Sequence, residues 1–209
     1  MVMTTASSSA QTDVHAVADR VDQRYNALHT LQADFVETYT GAGMSRTESG
    51  TLLLKKPGQM RWDYDQPHSK LFVTDGHTAW FYVPGERQAR RTSIKQLDDL
   101  RSPLRYLLGK TKLEKELDGL SLAPDQKPMN AGDVVVRGIP KGMQDRVEQT
   151  LLEIAPDGLI VRILVEELDG SQTEFRFHQQ KENVQVSDQQ FHFVPPSGVE
   201  VVAGSEMME

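Results

Sequence analysis

The chain of 209 residues has no cysteine, no excess of basic charge and no long apolar run. The absence of cysteine excludes disulfides, thiolate metal sites and cysteine nucleophiles, and it leaves the redox compartment unmarked. Acidic residues outnumber basic ones by 30 to 23, and the net charge of -7 argues against nucleic acid as a partner. The longest strongly apolar stretch, Leu159 to Val165, contains Arg162 and is far shorter than the roughly 20 residues of a membrane-spanning helix.

The first residues are rich in serine, threonine and alanine, without the basic and apolar regions of a signal peptide. We therefore expect residues 1–12 to form a flexible N-terminal tail that lacks a signal peptide. Hydrophobic residues make up 38% of the chain and charged residues 25%, which is typical of a protein with a packed core. All-β proteins of this length commonly form one domain, so residues 13–203 are predicted to be a single domain.

Two hydrophobic periods divide the chain. From Asp13 to Leu31 the apolar residues keep helical spacing, and Thr12 is a plausible N-cap. After this helix the period changes to two, first at Leu52 and Leu54 and then at Met60 and Trp62, which predicts strands. Further strands are predicted at 113–117, 134–139, 147–154, 159–168, 173–180 and 191–194, giving about eleven or twelve in all.

Turn signals recur between these strands, and they predict sequential antiparallel hairpins. One segment, 93–109, interrupts the strand pattern with helical spacing, and Ser102-Pro103 there resembles the start of a helix. This second helical segment carries Leu104, Leu107 and Leu108. The turn signals are Gly41 to Gly43, Pro57-Gly58, Asp75-Gly76, Pro84-Gly85, Pro156-Asp157-Gly158 and Asp169-Gly170.

No motif of catalysis or cofactor binding stands out. The six histidines lack the close spacing of zinc ligands, and no phosphate-binding, dinucleotide-binding or nucleophile-elbow sequence is present. The adjacent carboxylates Asp98-Asp99 and Glu166-Glu167 would point to opposite faces of a strand and could not act on one bond. The basic run from Arg87 to Arg91 fits a solvated hairpin edge better than a contact for anionic headgroups. We expect no metal, no cofactor and no enzymatic activity.

Three sequence blocks carry a specific resemblance. The block LKKPGQMRWDYDQP, from Leu54 to Pro67, and the block LFVTDGHTAWFYVPGERQ, from Leu71 to Gln88, are similar to the central part of outer-membrane lipoprotein carriers of the LolA family. The final block, FHFVPPSGVEV from Phe191 to Val201, resembles the end of those proteins. The resemblance covers nearly the whole chain from Val14 onward.

The resemblance implies a mainly β fold, namely an incomplete, unclosed antiparallel barrel of about eleven strands with a lid of short helices. It also implies a periplasmic chaperone in outer-membrane biogenesis, acting as a monomer. Such a carrier binds the acyl chains of lipoproteins in an apolar cavity, receives them from the inner-membrane Lol ABC transporter and delivers them to an outer-membrane lipoprotein receptor. The pattern of apolar residues agrees with that architecture, although periodicity alone does not distinguish a cavity from a filled core.

We predict that the cavity lies between the sheet and the segments 13–31 and 93–109. Strand parity places four of its lining residues on one face, namely Leu52, Leu54, Met60 and Trp62. Met60 stands where the family often has an aromatic residue, and its flexible thioether suits irregular acyl chains. The predicted ligand-binding residues are Leu52, Leu54, Met60, Trp62, Trp80, Leu104, Leu107 and Leu108.

Lys56 is predicted to latch the helical lid. It stands where the family usually has an arginine that is thought to hold the lid closed, and parity directs it to the same face as Leu54. A lysine offers a compact ammonium in place of a planar guanidinium, so we expect fewer bonds to the lid than an arginine would make. The alternative is that Lys56 extends to solvent and latches nothing.

Other functions remain open at this point. The same fold could serve an envelope protein that binds a lipid or glycolipid, or a sensor of stray lipoproteins, although such sensors usually carry a second domain. A hydrolase or isomerase would need convergent polar residues, and the sequence shows none.

Overall fold

The computed structural model describes residues 12–94 and 112–204. Most of the predicted tail, 1–12, and most of the predicted helical segment, 93–109, lie outside these described residues. Leu104, Leu107 and Leu108 also lie outside the described residues. Within the described ranges, no helix combines the length and the apolar character required to cross a bilayer.

Twelve strands of the described residues form one sheet, accompanied by two helices. The helices are α1, Val14–Ala27, and α2, Leu113–Glu116, and a short 3-10 helix spans Asp188–Phe191. The strands are β1 Thr30–Gly41, β2 Met44–Lys55, β3 Gln59–Gln66, β4 Lys70–Asp75, β5 Thr78–Tyr82, β6 Gln88–Ser93, β7 Leu117–Leu122, β8 Val134–Pro140, β9 Val147–Ile154, β10 Ile160–Glu167, β11 Gln172–Glu182 and β12 Glu200–Ala203.

The sheet consists of two meanders that meet at its centre. Its strand order is β12, β6, β5, β4, β3, β2, β1, β11, β10, β9, β8 and β7, so that β1 pairs with β11 and joins the two halves. The strands β12 and β7 form the two edges, and the sheet stays unclosed. The predicted incomplete barrel is therefore confirmed, with one departure: β12 pairs with β6 in parallel.

The local turn chemistry explains the hairpins. Ala42 and Gly43 both have positive φ angles, 49° and 78°, which is the conformation that matches the twist of a two-residue hairpin. The predicted hairpin tip at Gly41 to Gly43 is thus confirmed as the turn between β1 and β2. The other predicted turns also lie between paired antiparallel strands.

The first helix is shorter than predicted and begins one residue later. Asp13, rather than Thr12, is the N-cap, because its carboxylate accepts the backbone amide of His15 at 3.0 Å. The helix ends at Ala27 instead of continuing to Leu31. Leu31 lies in β1, where it pairs with Leu54 of β2, so backbone pairing between strands overrides the helical spacing of the leucines.

Two predicted strands are wrong. Residues 113–116 form α2, and the amide of Leu113 donates to the Asp22 carboxylate of α1 at 3.1 Å. Phe191 ends the 3-10 helix, where Ser187 and Gln190 form a reciprocal capping box that satisfies the free amides at the start of the turn. The last strand is β12, further along the chain.

The main core lies between α1 and the inner face of the sheet, the face that carries Leu52 and Trp62. Apolar side chains from strands of both halves and from α1 contribute to one continuous cluster. Full burial of a single large apolar side chain stabilises a fold by about 1.5–3 kcal/mol. A second, smaller cluster on the outer face contains Ala123, Val135, Leu151 and Leu164.

Candidate functional site: the inner face of the sheet

Four of the predicted ligand-binding residues lie together on the inner face. Leu52 is paired with Trp62, and Leu54 with Met60, across β2 and β3. Their exposed fractions are 0% for Leu52, 3% for Leu54, 6% for Met60 and 1% for Trp62. The predicted shared and inward face is confirmed, and ligand binding by these residues stays a prediction.

Trp62 is the centre of an aromatic cluster that spans both halves of the sheet. Its ring centroid lies 4.6 Å from that of Phe35 on β1 and 5.8 Å from that of Phe175 on β11, both edge to face. Phe177 and Tyr64 complete the cluster, each with a centroid 6.5 Å from Trp62. Such rings supply large apolar area with defined geometry, so the inner face has a rigid apolar floor.

Two polar atoms on this inner face have no hydrogen-bond partner among the described residues. One is the indole Nε1 of Trp62, and the other is the hydroxyl of Thr150 on β9. Thr150 pairs with Val165 and is fully buried. Buried polar groups nearly always have partners in folded proteins, so each of these two atoms calls for an explanation.

Buried charges lie beyond the aromatic cluster. The Tyr64 hydroxyl donates to the Glu37 carboxylate at 2.7 Å, and burial raises the pKa of that carboxyl. Glu48 lies opposite Glu37, and its carboxylate accepts a hydrogen bond from the Lys70 ammonium at 2.6 Å. The same ammonium lies 4.1 Å from the centroid of the Tyr64 ring, a cation–π contact. These groups satisfy one another and end the apolar part of the face.

The helix α1 covers the inner face. Its buried residues Val17, Val21 and Tyr25 belong to the same core cluster as Leu52 and Trp62. Val17, Val21 and Tyr25 are spaced four residues apart, which places them on one side of the helix. The Tyr25 hydroxyl accepts the backbone amide of Ile160 at 3.1 Å, and burial raises the pKa of this phenol.

Polar contacts fasten α1 near its C-terminal end. The Arg24 guanidinium binds the Glu182 carboxylate at 2.5 Å and the Asp157 carboxylate at 2.8 Å. Near the other end, the imidazole of His15 lies 2.5 Å from the Glu114 carboxylate of α2, and this contact raises the pKa of His15. The helix is therefore joined to the sheet by its apolar side and by separate polar contacts near both ends.

Lys56 lies beside the C-terminal end of α1. Its ammonium donates to the backbone carbonyl of Tyr25, and its own amide donates to the carbonyl of His29 at 2.9 Å. Lys56 is half-buried, and this burial lowers the pKa of its ammonium. The side chain thus bonds to a helix over the inner face, as a latch would, and does not extend freely to solvent.

Trp80 does not share the face of Trp62. It pairs with Val73 and Arg91, whereas Trp62 pairs with Phe72, so the two tryptophans point to opposite sides of the sheet. The Trp80 ring packs on the outer face against Phe193, with centroids 5.5 Å apart. The prediction that Trp80 lines the same cavity is therefore wrong.

Clefts that the described residues form lie elsewhere. One of about 460 Å³ lies between the start of α1 and β7, and another of about 380 Å³ lies beside Lys70 and Phe193. Neither is lined by Leu52, Leu54 or Met60. The predicted cavity between these residues and the segment 93–109 stays a prediction, because most of that segment lies outside the described residues.

The carboxylates considered for acid and base roles are either engaged elsewhere or not described. Glu166 accepts side-chain amides of Gln149 at 2.5 Å and Gln172 at 3.0 Å, which accounts for its two oxygens. Asp98 and Asp99 lie outside the described residues. Among residues 12–94 and 112–204, no three His, Asp or Glu side chains come together as possible metal ligands.

Comparisons of the sequence with known proteins agree on one family. Residues 26–194 match the family model described as outer membrane lipoprotein carrier protein LolA. The chain is 31% identical over 176 residues to an outer-membrane lipoprotein carrier protein of Chromobacterium violaceum, covering 84% of this chain and 82% of that one. It is 28% identical over 178 residues to the protein of the same name from Nitrosospira multiformis, covering 83% and 82%.

Solved structures share the fold at low sequence identity. An uncharacterized conserved protein from Thermus thermophilus has a TM-score of 0.59 at 14% identity, with 90% of this chain and 98% of that one covered. The lipoprotein LppX of Mycobacterium tuberculosis has a TM-score of 0.50, also at 14% identity, with 82% and 98% covered. These likenesses support the architecture of the sheet alone.

Proposed function

The chain belongs to the LolA family of outer membrane lipoprotein carrier proteins, and we propose that it carries lipoproteins by holding their acyl chains against the inner face of the sheet. The observation that supports this proposal best is the apolar inner face itself, which α1 covers from one side. A carrier binds and releases its cargo without breaking bonds, so we assign no catalytic residue and no cofactor.

The need for such a carrier follows from the cost of exposing hydrocarbon to water. Each buried methylene contributes about 0.8 kcal/mol, so a chain of about 15 methylenes resists transfer into water by roughly 12 kcal/mol. The unclosed sheet provides apolar walls without a rigid seal between β12 and β7. An acyl chain can enter such a sheet laterally, which a closed small barrel would not permit.

The movable cover is α1. The helix is held by side-chain contacts from Arg24, His15 and Lys56, each of which can be broken without unfolding a strand. In the empty protein the helix shields the apolar face, and in the loaded protein the acyl chains take its place. The empty, covered state then competes with bound cargo and favours its release.

We further propose the route that the family name suggests. The protein acts in the periplasm as a monomer, receives lipoproteins from the inner-membrane ABC transporter and transfers them to an outer-membrane receptor. Binding must be strong enough to extract the cargo and weak enough to pass it on, which fits a site made of apolar contacts with few charges.

A binding experiment with a paired control tests this proposal. The purified protein is mixed with a synthetic lipopeptide that carries two acyl chains on its N-terminal cysteine, and the complex is measured by native mass spectrometry. Met60→Glu places a carboxylate on the inner face at a cost of several kcal/mol, so it is expected to abolish binding. Thr47→Glu adds the same group at an exposed position of β2 and is expected to bind as the wild type does.

The outcomes separate the competing functions. Wild-type binding that Met60→Glu loses and Thr47→Glu keeps would support the carrier. A folded Met60→Glu protein that binds normally would remove Met60 from the site. If the purified protein retains a phospholipid or glycolipid and does not bind the lipopeptide, the result would instead support an envelope lipid-binding protein.

A further inference from the structure

The indole N–H of Trp62 has no acceptor within the described part of the protein. The side chain is 1% exposed, and its Nε1 atom is completely buried without a hydrogen-bond partner. Buried tryptophans usually find an acceptor for this donor, because its separation from water is otherwise uncompensated. An uncompensated donor on a proposed binding face therefore requires a functional explanation.

The surroundings of Trp62 explain why the described residues supply no acceptor. Its ring neighbours Phe35, Phe175 and Phe177 carry no polar atom. The hydroxyl of Tyr64 is directed to the Glu37 carboxylate, so this nearby polar group is already engaged. A donor surrounded by rings in this way is suited to a ligand that is apolar except for isolated acceptor atoms.

Thr150 provides an independent second observation on the other half of the sheet. It lies on the inner face of β9, two residues from the buried Leu152 of the main cluster. Its exposed fraction is 0%, and its hydroxyl also has no partner among the described residues. A valine of the same shape would satisfy the packing, so the hydroxyl is costly unless something binds it.

We propose that these two side chains recognise the carbonyl groups of the bound acyl chains. An acyl chain is hydrocarbon except at the ester carbonyl that joins it to the lipoprotein, and a carbonyl oxygen only accepts hydrogen bonds. The Trp62 N–H donates to one such oxygen, and the Thr150 hydroxyl donates to another. The site then distinguishes an acyl chain from plain hydrocarbon and fixes how far the chain enters. This inference deepens the proposed carrier function and depends on it.

The test compares two lipopeptides that differ only at the linkage. One carries two ester-linked chains. The other carries two ether-linked chains of equal length, which have no carbonyl group at the linkage. Affinities are measured by displacement of a fluorescent lipid from the wild type, Trp62→Phe and Thr150→Val. Trp80→Phe is the matched control, since it makes the same change on the outer face.

Each ordinary neutral hydrogen bond favours binding by about three- to tenfold, and the ether analogue loses two of them. The wild type is therefore expected to bind the ester lipopeptide roughly ten- to hundredfold more tightly than the ether analogue. Trp62→Phe and Thr150→Val should each reduce that preference by about three- to tenfold, because each variant removes one of the two proposed hydrogen bonds. Trp80→Phe should keep it.

Several results would overturn the inference. Equal binding of the two lipopeptides by the wild type would show that carbonyl groups are not recognised. An equal loss of both ligands in Trp62→Phe would assign Trp62 to packing only. If Trp62→Phe fails to fold, Thr150→Val decides, and an unchanged ester preference there counts against the proposal. Failure of the wild type to bind either lipopeptide would instead refute the carrier function itself.

Discussion

Replacing Lys56 by leucine is expected to loosen the C-terminal end of α1 from the sheet. The Lys56 ammonium donates to the carbonyl of Tyr25 in the last turn of the helix. Hydrogen bonds from charged donors contribute about 1.5–3 kcal/mol, and a cation is also favoured at a helix C-terminus. Because burial lowers the pKa of this ammonium, desolvation offsets part of the gain. We expect a net loss of about 1.5 kcal/mol, which corresponds to a roughly tenfold larger detached fraction.

Hydrogen exchange of the α1 amides measures this fraction directly. Lys56→Leu should exchange about tenfold faster than the wild type in the second half of the helix, if detachment is the opening that exposes those amides. Lys56→Arg should remain close to the wild type, because a guanidinium can donate to the same carbonyl. Lys55→Leu is the control, since Lys55 binds Asp188 at 2.5 Å and makes no bond to α1 within the described part of the chain.

The same variants connect the latch to transfer. If the covered state drives release, Lys56→Leu should still bind lipoprotein but should pass less of it to a receptor, while Lys56→Arg should transfer normally. Equal exchange rates in Lys56→Leu and the wild type would refute the energetic argument. Equal transfer by all three proteins would leave Lys56 without a role in the lid.

Three further changes test the contacts around the inner face. Tyr25→Phe removes the acceptor of the Ile160 amide and should lower the free energy of unfolding by about 1–3 kcal/mol in denaturant titrations, and an unchanged value would contradict that bond. Burial raises the pKa of Glu37, so folding favours the protonated form of this carboxyl. The resulting contribution to stability is complete below the ordinary glutamate pKa, and it is lost as the pH rises through the raised pKa of the folded state. Glu37→Gln should therefore be more stable than the wild type at pH 8, with a difference that shrinks toward pH 4, and a constant difference would refute the assignment. Gly158 has a φ of 87° and would place a Cβ 2.9 Å from the Arg20 carbonyl of α1, so Gly158→Ala should lower the melting temperature and speed exchange in α1, whereas unchanged exchange would contradict this close approach.

The hairpins could be predicted because their signals are local. Turn residues such as Gly43 and alternating runs such as Met60 to Tyr64 determine the backbone conformation of their immediate neighbours. The structure has the predicted turn and the predicted strand at these positions. Parity alone then put Leu52, Leu54, Met60 and Trp62 on one face. The long-range pairing of β1 with β11 has no local signal, so the position of the join between the two halves was not predictable.

The end of α1 shows where local patterns conflict. Leu28 and Leu31 keep the three-residue spacing of a helix, but Leu31 also alternates with the buried Ala33 and Phe35 as a strand residue does. Pairing of β1 on both sides, with β2 and with β11, decides in favour of the strand. Such pairing depends on residues far along the chain, which a local window does not include.

The two tryptophans explain why bulk alone does not identify the binding face. Trp80, Phe81 and Tyr82 are consecutive, so large side chains occupy both faces of β5 whichever register is chosen. The outer face there is covered by Phe193 from the C-terminal segment, which makes it as suitable for aromatic packing as the inner face. What separates Trp62 from an ordinary core residue is that its N–H has no partner among the described residues, and this is a property of its surroundings in the folded protein. The choice between the two tryptophans therefore depends on which indole N–H lacks a hydrogen-bond partner, because the hydrophobic pattern alone assigns both Trp62 and Trp80 to the binding face.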